Sequence, residues 1–167
     1  MAMSEQPDIE ILVAETAEDV AACTAIFVAY ADSLGFSIAY QGFDAEMAAM
    51  PGAYAPPRGG LLLARVDGAP AGAVGLRPSA DRNGKLDFCE MKRLYVMPAF
   101  RGLGLGRKLA HSVIDLARAR DFAMMRLDTL DTMVAACALY TSLGFFAIPG
   151  YNDNPLEGAV FFQLPLT

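Results

Sequence analysis

Leu94-Tyr-Val-Met-Pro-Ala-Phe-Arg101-Gly-Leu-Gly104-Leu-Gly106-Arg107-Lys108-Leu109 is the stretch on which the fold turns. Ahead of it a strand is expected over Leu86 to Met97, ended by Pro98, which has no backbone N–H to donate. Behind it Leu105, Leu109, Val113 and Leu116 recur at helical spacing, with Arg107, Lys108, Ser112 and Asp115 on the opposite face. Gly102, Gly104 and Gly106, at alternate positions between strand and helix, leave backbone N–H groups uncovered where the helix dipole adds partial positive charge. A diphosphate fits such a nest, and Arg101, Arg107 and Lys108 add cationic charge to it. The same residues also read as a glycine-rich turn followed by a basic first helical turn.

Two other glycine motifs compete. A Walker loop needs GxxxxGK and then Ser or Thr, but five residues after Gly102 stands Arg107, followed by Lys108 and Leu109. A dinucleotide fingerprint needs glycine directly after the strand, whereas Pro98-Ala-Phe-Arg101 intervenes and Arg107 stands where the third glycine belongs. A nucleotide-binding α/β protein stays open as an alternative, and it predicts thermal stabilisation by NAD or ATP.

On the N-terminal side, Ile9, Ile11 and Val13 alternate as a strand, and Thr16 caps a helix whose apolar stripe is Val20, Cys23, Phe27, Tyr30 and Leu34, closed by Gly35. Phe43, Met47 and Met50 suggest a second short helix before Pro51-Gly52. Leu61 to Val66 and Ala71 to Arg77 flank Asp67-Gly68 as a hairpin. On the C-terminal side a strand is expected over Met124 to Asp128, a helix over Val134 to Leu143 closed by Gly144, and strands over Phe145 to Ile148 and Ala159 to Leu164. This order gives an α/β chain with a mixed sheet, helices on both faces, and one parallel crossover through the helix at Gly104 to Ala119.

At 167 residues, 54% apolar and 19% charged, the chain is expected to form one domain over 1–167 with its core at about 8–165. A net charge of −6 argues against nucleic acid or an anionic membrane as partner. Cys23, Cys89 and Cys137 have neither disulfide-framework nor zinc spacing, so no metal is expected and a reducing cytoplasm fits best. Residues 1–10 carry three acids and no basic, apolar leader pattern, so no signal peptide is read. The charge-free run from Thr132 to Asn152 is broken by Tyr140, Gly144 and Pro149 and is expected to be a buried helix, turn and strand.

Arg101-Gly-Leu-Gly104-Leu-Gly106 resembles the R/Q-x-x-G-x-G/A signature of the GCN5-related N-acetyltransferase superfamily, and Ala138-Leu-Tyr140-Thr-Ser-Leu-Gly144-Phe145 is similar to its second recurring segment, A-x-x-L-Y-x-x-x-G-F. The resemblance implies the three-layer αβα acyl-CoA N-acyltransferase fold, with a mostly antiparallel sheet, and transfer of an acetyl group from acetyl-CoA to an amine in a ternary complex. By that resemblance the CoA pyrophosphate lies against Arg101, Gly102, Leu103, Gly104, Leu105, Gly106 and Arg107. Leu94, Tyr95 and Val96 would pair through their backbone with the pantetheine where two strands splay. Tyr140 would stand near the sulfur as leaving-group stabiliser, and Glu90, on a strand face expected to include Lys92, Leu94 and Val96, matches the general-base glutamate of part of the superfamily. At Met133 the superfamily often has asparagine near the cofactor, and Thr129, Asp131 or Thr132 are the available substitutes.

The acceptor is expected to be a small-molecule amine or an amino terminus. Arg77, at a strand end before Pro78, and Arg93 could hold a carboxylate on it, and Tyr30, Gln41, Tyr151 and Asn152, with Phe36 and Asn154, come from segments that could line its pocket. His111, the single histidine, is expected on a solvated helix face, and the cysteines as small core residues. A homodimer whose partner completes the acceptor site is compatible with the sequence. A CoA-binding sensor or scaffold of the same fold, without turnover, is the alternative in another functional class.

Overall fold

The Asp67-Gly68 pair makes the sheet's first tight turn, with φ of 50° and 82°, the doubly left-handed geometry that matches the twist of the strands it joins. In the computed structural model, which describes residues 5–39, 42–80 and 83–167, that turn joins β2 (Gly60–Val66) to β3 (Ala69–Ser79). The chain runs β1 (Ile9–Val13), α1 (Ala17–Ser33), α2 (Phe43–Ala48), β2, β3, β4 (Phe88–Val96), α3 (Leu105–Ala119), β5 (Met124–Leu130), α4 (Val134–Ser142), β6 (Phe146–Ile148) and β7 (Ala159–Pro165). The sheet order is β1-β2-β3-β4-β5-β7-β6. Every pairing is antiparallel except β4 with β5, joined through α3.

Each face of the sheet carries its own core. On one, Leu105, Leu109 and Val113 of α3 pack against Val74, Leu76, Cys89, Met91 and Met125. On the other, Cys23, Ile26 and Phe27 of α1 and Phe43 of α2 pack with Tyr54 against Leu61, Leu63 and Ala73. Alternation along the strands sends successive side chains into opposite cores, which is why the central strands are buried on both faces. Phe27, Leu63, Val74, Leu109 and Val113 are fully enclosed, and each such burial contributes roughly 1.5–3 kcal/mol. At the head of α1 the Thr16 hydroxyl oxygen accepts the Asp19 N–H at 3.1 Å, and Gly35 at φ 72° turns the chain after it.

Three expectations are corrected. Arg77 does not end β3, which continues through Pro78 to Ser79, because β2 stops opposite Leu76 and the missing proline donor faces an edge with no strand. The run after Thr132 is only partly buried: Val134 is 72% and Phe146 47% exposed, since α4 and β6 sit at the end of the sheet with one face covered. No helix among the described residues is long and apolar enough to cross a membrane. The third correction concerns β4. Lys92 pairs with Gly75 and Tyr95 with Ala73, so Val74 opposes both Arg93 and Leu94 in a bulge, with Arg93 at φ 59°. Beyond the bulge the faces exchange: Leu94 and Val96 join Cys89 and Met91 in the α3-side core, and Tyr95 and Met97 go to the α1 side. Glu90 and Lys92 therefore do not share a face with Leu94 and Val96.

Candidate active site

The glycine loop is anchored by its leucines and open at its glycines. Leu105 is buried in the α3-side core and Leu103 packs on it. A Cβ added at Gly102, Gly104 or Gly106 would meet nothing within 4 Å. Gly102 at φ 88° and Gly104 at φ 75° hold the left-handed turns that bring the chain into α3. Gly104 is the N-cap of α3 and supplies no side-chain bond. The N–H groups of Leu105, Gly106 and Arg107 have no carbonyl one turn back, and the first helical acceptor bond is Lys108 N–H to Gly104 O at 3.1 Å. Arg107 crosses to α4, donating to Ser142 Oγ at 2.9 Å, and Arg101 folds back over the Tyr95 ring with its Nε 3.4 Å from Val96 O.

In front of the loop the sheet opens. β4 pairs with β5 only from Phe88 to Glu90, against Met124 to Arg126. Past that point β4 stays with β3 as far as Val96, while β5 stays with β7 as far as Leu130. The strands thus part in a V, and the backbone edge of β4 that faces β5, from Met91 through Leu94, Tyr95 and Val96, has no neighbouring strand. Tyr95 turns its ring to Tyr30 of α1, centroids 5.7 Å apart, so only its backbone lies at this edge. Met133, the N-cap of α4, lies in the mouth with Thr129, whose hydroxyl donates to its sulfur at 3.3 Å. Of the substitutes considered for the family's asparagine, Thr129 lines the opening, whereas Asp131 and Thr132 are exposed. Tyr140 of α4 is buried against Phe145 and Phe162, and that burial, with Tyr30, Cys137 and Asp128 as neighbours, pushes its phenol above the ordinary range. It therefore stays protonated and can donate.

The charged residues gather where the V opens. Arg77 donates Nε and Nη2 to Glu90 Oε1 at 3.3 and 3.1 Å, and Tyr151 donates its hydroxyl to Glu90 Oε2 at 3.1 Å, so both Glu90 oxygens are engaged. Glu46 of α2 holds Arg93 Nε at 2.6 Å and lies 3.8 Å from Arg77 Nη1. Lys92 faces Asp128 at 3.7 Å. Asn152 and Asn154 donate to Asp128 Oδ2 at 3.3 and 3.0 Å, and their side-chain oxygens cap the turns of their own loop at Asn154 N and Leu156 N. Burial works against charge on Asp128, but Lys92 and then the two asparagines outweigh it and hold the carboxyl below its usual range. Burial pulls Lys92 down from the ordinary lysine range, with Asp128 and Glu90 opposing.

Arg77, Arg93 and Asn152 meet at one cavity, and Tyr30, Arg93, Phe36 and Asn154 at an adjoining one, with Lys92 and Asp128 shared between them. Tyr151 stands beside them behind Glu90, and Gln41 lies outside the described residues. Sequence reasoning missed Glu46, Lys92 and Asp128. The available signal was a charge in the middle of an apolar strand, Asp128 after Leu127. His111 is exposed, as expected. Burial raises the thiols of Cys23 and Cys89 to about 12, which removes both as nucleophiles.

The model of the Acetyltransferase (GNAT) family matches residues 35–145, which contain the glycine loop, the splayed strands and Tyr140. The chain belongs to this family. An uncharacterized N-acetyltransferase of Schizosaccharomyces pombe is 34% identical over 166 residues, 99% of each chain. N-acetylaspartate synthetase of Danio rerio is 31% identical over 128 residues, 71% of this chain but 44% of that protein. A Salmonella typhimurium protein solved with its cofactor acetyl-CoA superposes with a TM-score of 0.68 at 24% identity, covering 95% of this chain and 94% of that one. The GNAT fold of this chain is therefore one that holds acetyl-CoA in a solved structure.

Proposed function

We propose that this GNAT protein moves an acetyl group from acetyl-CoA to a primary amine by direct transfer with both substrates bound. The observation that carries the reading is the succession along the chain of two unused sets of backbone donors and acceptors, the strandless edge of β4 and the uncapped N-terminus of α3. A pyrophosphate satisfies the helix terminus through Gly102 to Arg107, and the amides of an extended pantetheine satisfy the strand edge along Leu94 to Val96. Met133, at the N-cap of α4, borders the opening beside Thr129. The bound thioester supplies an activated acyl group.

The chain's residues supply position and proton traffic. The amine must attack as a free base, so an ammonium group sheds one proton before attack and the nitrogen a second as the amide forms, while one negative charge appears on the departing sulfur. Tyr140, kept protonated by burial, donates a hydrogen bond to that sulfur. Even an ordinary phenol, near 10, protonates a thiolate near 8.5 only uphill, and burial lifts Tyr140 further, so its part is stabilisation of the leaving group. Asp128, held as a carboxylate at the border of the opening, accepts a hydrogen bond from the amine and so orients it, since a carboxyl below its usual range is a weak base for that proton. Glu90, whose oxygens accept from Arg77 and from the Tyr151 hydroxyl, is the carboxylate assigned to proton removal.

Release of free CoA thiol from acetyl-CoA, measured across a panel of primary amines, tests the assignment. The expected result is amine-dependent thiol release. Heat on titrating acetyl-CoA with no release for any amine would contradict transfer and point to a binding module.

A further inference from the structure

The cavity at the mouth of the V has a volume of about 200 Å³ and is bordered by Arg77, Lys92, Arg93 and Asp128 and by Asn152, Asp153 and Asn154 of one loop. Most of its charge is already matched inside the wall: Glu90 and Glu46 hold Arg77, Glu46 holds Arg93, and Asp128 stands before Lys92. Asp153 is exposed at the rim, and two groups of the buried wall keep capacity that these pairs do not use. The side chain of Arg93 is 3% exposed, gives Nε to Glu46 and lays its guanidinium 4.9 Å over the Phe43 ring. Its two terminal nitrogens have no acceptor among the described residues and are not sealed off, since the buried side-chain polar atom left without a partner there is the Tyr54 hydroxyl, so they are free to donate to a ligand. Asp128 spends Oδ2 on the two asparagines and leaves Oδ1 facing Lys92 at 3.7 Å, beyond hydrogen-bond length.

These two groups have opposite preferences and border the same space. A guanidinium fork takes a carboxylate through two parallel bonds, and a carboxylate oxygen takes an amine N–H. Resting on the transfer reading above, we propose that the acceptor is a free amino acid, with its carboxylate on the terminal nitrogens of Arg93 and its amine at Asp128 Oδ1, and not the amino terminus of a polypeptide. In a polypeptide the first residue's carboxyl is an amide. It carries no charge and offers one oxygen, so Arg93 would stay underused. The Arg93 backbone at φ 59° is what turns this side chain out of the sheet's alternation and between α2 and the cavity.

The test is the rate of thiol release from acetyl-CoA for a series of amino acids, each compared with its own carboxamide and with the amine that lacks the carboxyl group. Two charge-assisted bonds at about 1.5 kcal/mol or more each predict that kcat/KM falls about 100-fold or more when the carboxylate is lost. In R93K, which keeps the positive charge but not the fork, that preference is expected to shrink to within about 10-fold while the KM for acetyl-CoA stays at its wild-type value. Carboxamides or simple amines used as well as the amino acids would overturn the proposal while leaving the transfer reading intact. So would an undiminished preference in folded R93K. If R93K fails to fold, the wild-type comparison decides alone. Thiol release from no amine at all would overturn both readings together.

Discussion

Tyr140 is the single residue whose proposed role separates binding from turnover. Y140F keeps the ring against Phe145 and Phe162 and loses only the hydroxyl. We expect kcat to fall about 10- to 100-fold, the loss of one hydrogen bond to developing charge, with acetyl-CoA affinity unchanged in calorimetry. Unchanged kcat would remove Tyr140 from the mechanism. Asp128 gives a pH-dependent prediction. Its folded carboxyl titrates below the ordinary value near 4, so it is ionised throughout the neutral range, and D128N should lower kcat/KM by a similar factor from pH 6 to 9 rather than move a limb of the profile. A depressed carboxyl adds stability that is present above the unfolded value and lost as pH falls through the folded one. The variant also leaves Lys92 buried without its partner, at a cost of about 3 kcal/mol. The melting-temperature gap between wild type and D128N should therefore be full at pH 7 and narrow below about pH 4, and a gap independent of pH would contradict the assignment. Tyr140 was legible because its neighbours repeat a recognisable segment. Asp128 was not, because nothing local to Leu127-Asp-Thr129 tells a strand charge facing solvent from one facing a lysine 36 positions earlier.

At the scale of elements, the site is made by departures from regularity. β4 and β5 part after three pairs, β4 carries a bulge, and α3 begins without a side-chain cap where α1 has Thr16. Gly104 concentrates this. Any side chain there would adopt φ 75° at a cost of about 1–2 kcal/mol, and its Cβ would stand in the space over the loop. G104A is expected to raise the Kd for acetyl-CoA about 10-fold or more and to lower the melting temperature by a few degrees. Unaltered affinity would show that the pyrophosphate lies elsewhere. The loop could be read from sequence because alternate glycines between a proline-ended strand and a leucine stripe have few other uses. The bulge could not: arginine carries no mark of a left-handed conformation, so strict alternation put Glu90 on the face of Leu94. Pro78 misled in the same way, since whether a proline ends a strand depends on which edge has a neighbour.

Across the whole molecule, periodicity made the element order legible, and two apolar cores follow from it. What periodicity could not supply is which elements lie at the margin, so α4 and β6 looked buried from their lack of charge and are half open. The same holds for the cavity wall beside the splayed strands, whose charged and polar residues come from α2, β3, β4, β5 and the 150–155 loop and meet only after folding. A chain of net charge −6 must hold an anionic cosubstrate by local donors, against its own field. The most direct measurement of that claim is the amide ¹H–¹⁵N spectrum of the labelled protein titrated with CoA. The account predicts that the largest shifts fall on the amides of Gly102 to Arg107 and along Lys92 to Val96. Saturable binding that leaves those amides unmoved and shifts another surface would contradict it.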